Sequence, residues 1–160
     1  NITSEQNLRA LKMAREVGLF ASVSLVLGMP SETDETIEET KSMLIEADVK
    51  AFGGFFATAY PASPLFEYAI SKGLISDVDD YMVKVGNATK LLINFTKLDD
   101  KYLQKKLKEL ERDVGYAWYK KRGIYYLLKF KLRPLKNAFD ILREKGLIAL
   151  VGKIVGKIKN

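Results

Sequence analysis

Few residue types in this chain could do chemistry, because the sequence contains no cysteine and no histidine. Disulfides, thiolate or imidazole metal sites, and every Ser-His or Cys-His catalytic pair are therefore excluded from these residues. Carboxylates, hydroxyls, amines and the backbone remain. The carboxylate pairs Asp79-Asp80 and Asp99-Asp100 could hold a hard cation, but each pair lies at a predicted helix start, where capping is the favoured role.

Two loops are candidate binding sites. One apolar run stops at Gly28 and opens into an acidic helix start, and a second run, rich in aromatics, ends in a loop that contains Pro61 and Pro64. Both are typical of a parallel strand that delivers its C-terminal end to a site. A phosphate cradle at residues 28–31 is a rival interpretation, which the sequence disfavours because the turn has no lysine and the following carboxylates would repel a phosphate.

The elements that must position these loops follow from periodicity and caps. A capping box at Thr3 and Gln6 predicts a first helix, which Gly18 ends. The first predicted elements are a helix over residues 4–17 and a strand over 19–27 that is buried on both faces. They are followed by a helix from Thr33 to about Ala47, with Ile37 and Leu44 facing inward, and by a strand over 50–58. The connection between the strands predicts a right-handed βαβ unit.

The rest of the chain reads as mainly helical. An extended loop is predicted at Pro61 and Pro64, followed by a short helix over 65–72 that Gly73 stops, and by mixed loop and helix over 78–95. A long helix is predicted from Asp99 or Asp100 to about Arg122, with one apolar stripe formed by Leu103, Leu107, Leu110, Val114 and Ala117. Further helices are predicted after it, divided near Gly123, Pro134 and Gly146. Two strands cannot close a barrel or cover their own edges, so we expect further strands from an N-terminal half upstream of these residues.

Two motifs in this order resemble those of the radical S-adenosylmethionine (radical SAM) enzymes, most of all the cobalamin-binding branch. The first is Gly28-Met29-Pro30-Ser31-Glu32-Thr33, which is similar to the family's Gly-x-Pro-Gly-Glu-Thr turn after the fifth strand. The second is Thr58-Ala59-Tyr60-Pro61-Ala62-Ser63-Pro64-Leu65, which is similar to Thr-Pro-Tyr-Pro-Gly-Thr-Pro-Leu after the sixth. Ser31 and Ala62 stand where glycine is common, and Ala59 stands where proline is common.

The resemblance implies an α/β fold in which residues 1–98 are the C-terminal segment of a partial (β/α) radical SAM barrel, its last two βα units. Residues 99–160 would be a basic all-helical extension. The implied reaction is reductive cleavage of S-adenosylmethionine to a 5′-deoxyadenosyl radical, followed in the cobalamin branch by methyl transfer or a carbon-skeleton change. The 4Fe-4S cluster would be held by cysteines outside this chain, so the chain alone is expected to be inactive.

By the same resemblance, five residues are expected to line the cofactor. Val26 would contact the adenine ring, Gly28 would let the backbone approach the nucleoside, Thr58 and Ala59 would contribute backbone hydrogen bonds and packing, and Tyr60 would face either cofactor or substrate. The plainer alternative is that Val26 and Gly28 only pack a strand while the prolines shape a turn.

The charge of the chain is divided sharply. Residues 1–100 hold 9 Lys and Arg against 15 Asp and Glu, whereas residues 101–160 hold 17 against 5. Aromatic side chains also alternate with basic ones from Tyr116 to Arg133, a mixture found at membrane interfaces and at nucleic-acid sites as well as in helical cores. We therefore expect the C-terminal part to meet something anionic.

The last fifteen residues show an amphipathic pattern with an apolar face and lysines beside it, as in a helix that lies in a bilayer surface. Lys153, Ile154 and Lys157 are the predicted membrane or anion contacts, and a final helix docked on the domain is the alternative. The expected partners are a small-molecule or lipid substrate and a membrane, with nucleic acid the weaker candidate. The protein is expected in the cytoplasm, peripheral to the inner face of the membrane. A non-catalytic lipid-binding module and an RNA-binding part of a modifying enzyme are the alternative functions.

Overall fold

A computed structural model describes residues 2–19 and 21–136 of the chain. Its elements are α1 (Ser4–Glu16), β1 (Val23–Leu27), α2 (Asp34–Glu46), β2 (Phe52–Phe56), α3 (Pro64–Ser71), α4 (Val78–Lys84) and α5 (Asp100–Lys121). Residues 124–136 are also helical. A first compact unit runs to Trp118 and a second begins at Tyr119. The described chain is thus mixed α/β and mostly helical.

The helix ends follow the predicted caps. Thr3 forms a reciprocal capping box with Gln6, and Gly18 has a positive φ of 75° just past the end of α1. Thr33 caps α2 in the same reciprocal way, with Thr36 in the role that glutamate or glutamine usually fills. The caps satisfy backbone N–H groups that a helix cannot bond internally.

The sheet of the described residues has two parallel strands, with Val23 opposite Phe52 and Leu27 opposite Phe56. The predicted βαβ unit is confirmed to this extent, whereas a barrel is not seen in the part of the chain that the structure describes. Helix α5 packs against the sheet, and its predicted leucine stripe is buried. The main core comprises Leu27, Ile37, Leu44, Ala47, Val49, Phe56, Leu103, Leu107, Leu110 and Val114.

A second, smaller core lies beneath the loop that follows β2. It consists of Ala57, Ala59, Ala69, Ile75, Tyr81 and Phe95, with Leu65 and Phe66 packed against it. Helices α3 and α4 therefore support the candidate loop, while α2 and α5 support the strands.

Three predictions about local structure were wrong. Strand β1 begins at Val23 rather than Leu19, and it is covered on one face only, since Ser24 and Val26 are exposed. Pro61 lies in a tight turn rather than an extended loop, because the Ser63 N–H bonds the Tyr60 carbonyl at 3.1 Å. The helix of residues 124–136 continues through Pro134, although the predicted break at Gly123 is confirmed by its φ of 93°.

Candidate functional site

The candidate site begins where the C-terminal ends of β1 and β2 meet. The Ala57 N–H donates to the Leu27 carbonyl at 2.7 Å, so the parallel pairing continues one step past the end of β2. Gly28 and residues 57–60 consequently leave the sheet side by side. The fold thus brings the two sequence motifs to one edge, as strand order requires.

The backbone conformation at Gly28 favours glycine. Its φ of 94° is a conformation that residues with a side chain rarely adopt. Gly28 is also buried, and a Cβ at this position would make ordinary van der Waals contacts, 3.4 Å from Cδ2 of Leu103 and 3.9 Å from Cβ of Ala57. The chain therefore turns here directly over α5, and the backbone of the loop stays close to the sheet.

Glu32 closes the first loop, a role that the sequence motifs did not predict. Its carboxylate accepts hydrogen bonds from the backbone N–H groups of Gly28 and Met29, four and three residues earlier. The Glu32 N–H in turn bonds the Met29 carbonyl at 2.9 Å. Partial burial raises the pKa of Glu32 above its ordinary value, because it outweighs the two backbone hydrogen bonds that lower it.

The second loop is held from within the smaller core. The Tyr81 hydroxyl donates to the Ala59 carbonyl at 3.0 Å, and burial raises the pKa of Tyr81. Ala59 is fully buried, its backbone as well as its side chain, so it exposes no surface to a ligand. Thr58 is half-buried, and its hydroxyl donates to the Phe56 carbonyl at 3.1 Å.

Tyr60 lies at the outer end of this loop. Its hydroxyl donates to the Gly86 carbonyl at 3.0 Å, which fixes the ring while leaving much of it exposed. Pro61 and Ala62 form the centre of the following turn, and Ala62 has a φ of 63°. A positive φ at this turn position normally selects glycine, which is the residue common here in the radical SAM pattern that the motif resembles.

Three apolar side chains around this edge are exposed to solvent: Val26 at 48%, Met29 at 46% and Tyr60 at 47%. Val26 projects from the face of β1 opposite to Leu27, because successive side chains of a strand alternate. The Leu27 carbonyl points toward β2, so the backbone groups of Val26 point to the other edge of β1, where no strand among the described residues pairs with them. The site thus offers apolar surface beside an open backbone edge.

Helix α5 is joined to the start of α2, just after the first loop, by polar contacts as well as by packing. The Tyr102 hydroxyl donates to Oδ1 of Asp34 at 2.8 Å, and Nζ of Lys106 lies 3.6 Å from the same oxygen. The hydrogen bond with Tyr102 raises the pKa of Lys106, with smaller contributions from Asp34 and Glu38. These contacts join α5 to the first turn of α2.

The described residues contain no group of three side chains that could hold a metal ion. No described helix is long and apolar enough to cross a bilayer. Lys153, Ile154 and Lys157, the predicted membrane or anion contacts, lie outside the described residues.

Comparison with known proteins finds partial relatives. The chain is 38% identical over 74 residues to an uncharacterized methyltransferase of Pyrococcus horikoshii, 46% of this chain and 16% of that protein. It is 30% identical over 79 residues to the anaerobic magnesium-protoporphyrin IX monomethyl ester cyclase of Rubrivivax gelatinosus, 49% of this chain and 14% of the cyclase. The same cyclase of Cereibacter sphaeroides is 28% identical over 79 residues, 49% of this chain and 13% of that enzyme.

The chain thus spans about a seventh of the length of these relatives. No protein-family model matches it, and no solved structure matches it. The matched proteins bear the names of enzymes, which suggests an enzymatic origin for the chain.

Proposed function

We propose that the chain is the C-terminal part of a radical SAM enzyme and supplies one wall of its S-adenosylmethionine site. The observation that carries the proposal is the meeting of the two motifs at one sheet edge, with Val26 exposed in the first segment and Tyr60 in the second. The similarity to a methyltransferase and to a cyclase supports the same class of chemistry. When bound, S-adenosylmethionine and a 4Fe-4S cluster supply a 5′-deoxyadenosyl radical that removes hydrogen from a substrate.

The residues of the chain fit S-adenosylmethionine but not the 4Fe-4S cluster. The cluster cannot be held here, because the chain has no cysteine, so its ligands would lie in an N-terminal half. The open face beside Val26 suits a flat purine, which needs apolar contact and backbone hydrogen-bonding groups at its rim. Because Gly28 has no side chain, the backbone of the loop stays close to the sheet and leaves room for such a ring. Glu32 holds that backbone in place through its hydrogen bond with the Gly28 N–H.

The same geometry indicates where the N-terminal half would join. The outer edge of β2 is engaged by a later loop, since the Phe56 N–H donates to the Ala88 carbonyl at 2.7 Å. The outer edge of β1 has no such cover among the described residues. We therefore place the remaining strands of the barrel beside β1, so that β1 and β2 are the last two strands.

Cobalamin, methyl transfer or a skeletal rearrangement, and a small-molecule or lipid substrate extend this proposal on the strength of the resemblance. A peripheral place on the inner membrane face, with Lys153, Ile154 and Lys157 as contacts, extends it on the strength of the amphipathic pattern of the last fifteen residues. In this proposal the cluster and the wall described here meet the same cofactor molecule.

The test uses the complete protein, purified without oxygen and reconstituted with iron and sulfide. We expect 5′-deoxyadenosine to form from S-adenosylmethionine in the presence of a reductant. Val26→Asp should weaken S-adenosylmethionine binding at least tenfold, since losing one apolar contact of this size and adding a charge cost about 1.5 kcal/mol or more. Val83→Asp is the matched control, because Val83 is 88% exposed on α4 and lies outside the site. Cluster-loaded protein that neither binds nor cleaves the cofactor would contradict the proposal.

A further inference from the structure

The helix of residues 124–136 carries an apolar stripe that its own compact unit does not bury. Ile124 is 75% exposed, Leu128 51%, Leu132 53% and Leu135 67%. Their spacing of four, four and three residues places all of them on one side of a helix. No residue from Tyr119 to Lys136 is buried. An apolar stripe that stays in water in this way indicates a surface for an external partner.

The charge around the stripe is of one sign. Residues 114–136 contain seven Lys and Arg and no Asp or Glu. At 100° per residue, Lys131 flanks one side of the stripe, while Lys129 and Lys136 flank the other. All three lysines are exposed. Lysines in this position can extend their amines beyond an apolar face while their methylene chains lie along it.

The aromatic rings of this segment lie at the border of the stripe or on the opposite side of the helix. Tyr125 is exposed at the border of the stripe, and its ring meets Tyr126 edge-on, with centroids 5.4 Å apart. The contact between Tyr119 and Phe130, at 5.1 Å, lies on the opposite side of the helix from the stripe. The stripe therefore faces away from this internal packing. Tyrosine is enriched where an apolar phase meets water.

We propose that residues 124–136 lie in the surface of an anionic lipid bilayer, with Ile124, Leu128, Leu132 and Leu135 inserted and the lysines at the headgroups. Four aliphatic side chains on one face gain from hydrocarbon and offer little to stacked bases. Basic residues recur through the segment, which places it along the surface rather than across the bilayer. The inference does not depend on the radical SAM proposal, since no residue of the cofactor site takes part.

The experiment measures binding of the complete protein to vesicles of phosphatidylcholine and phosphatidylglycerol in equal parts, by co-flotation. Leu128→Gln with Leu132→Gln should weaken binding about tenfold, because each half-exposed leucine gives up roughly half of its transfer free energy. Lys129→Gln with Lys136→Gln should weaken it about twenty-five-fold on these vesicles, at about fivefold per lysine, and hardly at all on pure phosphatidylcholine. Ile2→Gln with Val83→Gln, at two of the most exposed apolar positions of the first unit, should change nothing.

The comparison with the C-terminal residues locates the contact. Loss of binding in Ile154→Asp, with the leucine pair indistinguishable from wild type, would overturn the inference and assign the membrane contact to residues outside this helix. Binding to an RNA oligonucleotide that depends on the lysines but not on the leucines would overturn it in favour of nucleic acid. Self-association that the leucine pair abolishes, without vesicle binding by the wild type, would overturn it in favour of a second copy of the chain.

Discussion

Replacing Gly54 by alanine should test whether α5 is seated on the sheet. A Cβ at Gly54 would lie 2.7 Å from Cδ1 of Leu107, 3.1 Å from its Cγ and 3.0 Å from Oε1 of Glu111. The end of the leucine could turn aside about χ2, but its Cγ can move only by a change of χ1 rotamer or with the helix backbone. Such overpacking typically costs about 1–3 kcal/mol, and alanine recovers about 0.5–1 kcal/mol of strand entropy. We expect a net loss of about 1–2 kcal/mol in the free energy of unfolding.

Urea unfolding followed by far-ultraviolet circular dichroism measures this loss. Gly86→Ala is the control, because its Cβ would meet nothing within 4 Å and its φ is not positive. Leu107→Ala alone should cost about 2–5 kcal/mol, but combined with Gly54→Ala it should cost less than the sum, with a coupling of about 1 kcal/mol. Equal stability of Gly54→Ala, Gly86→Ala and wild type would refute the packing of α5 on β2.

Three further outcomes are expected. Because burial raises the pKa of Glu32, the folded state holds the proton of this carboxyl group to higher pH than the unfolded state does. The stability of the wild type should therefore fall relative to that of Glu32→Gln as the pH rises from about 4.5 through the raised pKa. A pH-independent difference in unfolding midpoints would contradict this. Thr33→Ala should cost about 1 kcal/mol in thermal unfolding through loss of the α2 cap, and Thr33→Ser should restore most of it. Tyr81→Phe should lower the free energy of unfolding by about 1–3 kcal/mol, because it leaves the buried Ala59 carbonyl unpaired. The loss should exceed that of Tyr60→Phe, because the Tyr60 hydroxyl is exposed, and equal losses would contradict the role given to burial.

The helices could be predicted from the sequence because their signals are local. Thr3 and Gly18 mark the two ends of α1 by chemistry that acts over a few residues. The stripe from Leu103 to Val114 repeats at helical spacing over twelve residues, which is long enough to identify a buried face. The order of the two motifs likewise predicted that Gly28 would lie near residues 57–60.

The remaining features depend on the fold and could not be predicted. The apolar run from residue 19 looks continuous, yet Leu19 is exposed because the chain has not reached the sheet there. Glu32 reads as an ordinary acidic residue at a helix start, and only the positive φ of Gly28 returns the backbone to within reach of its carboxylate. Coverage of β1 on one face could not be predicted either, since an apolar strand sequence does not indicate which neighbours are present.

The edge of β1 with which no strand of the described residues pairs has a practical consequence. Unpaired N–H and C=O groups along a strand are a template on which any other extended chain can add. Ser24 and Val26 leave this edge without the lysine or proline with which exposed strands are commonly protected. A solution of these residues alone should therefore assemble with rising concentration into oligomers richer in β structure than the monomer. The single substitution Ser24→Lys should keep such a preparation monomeric.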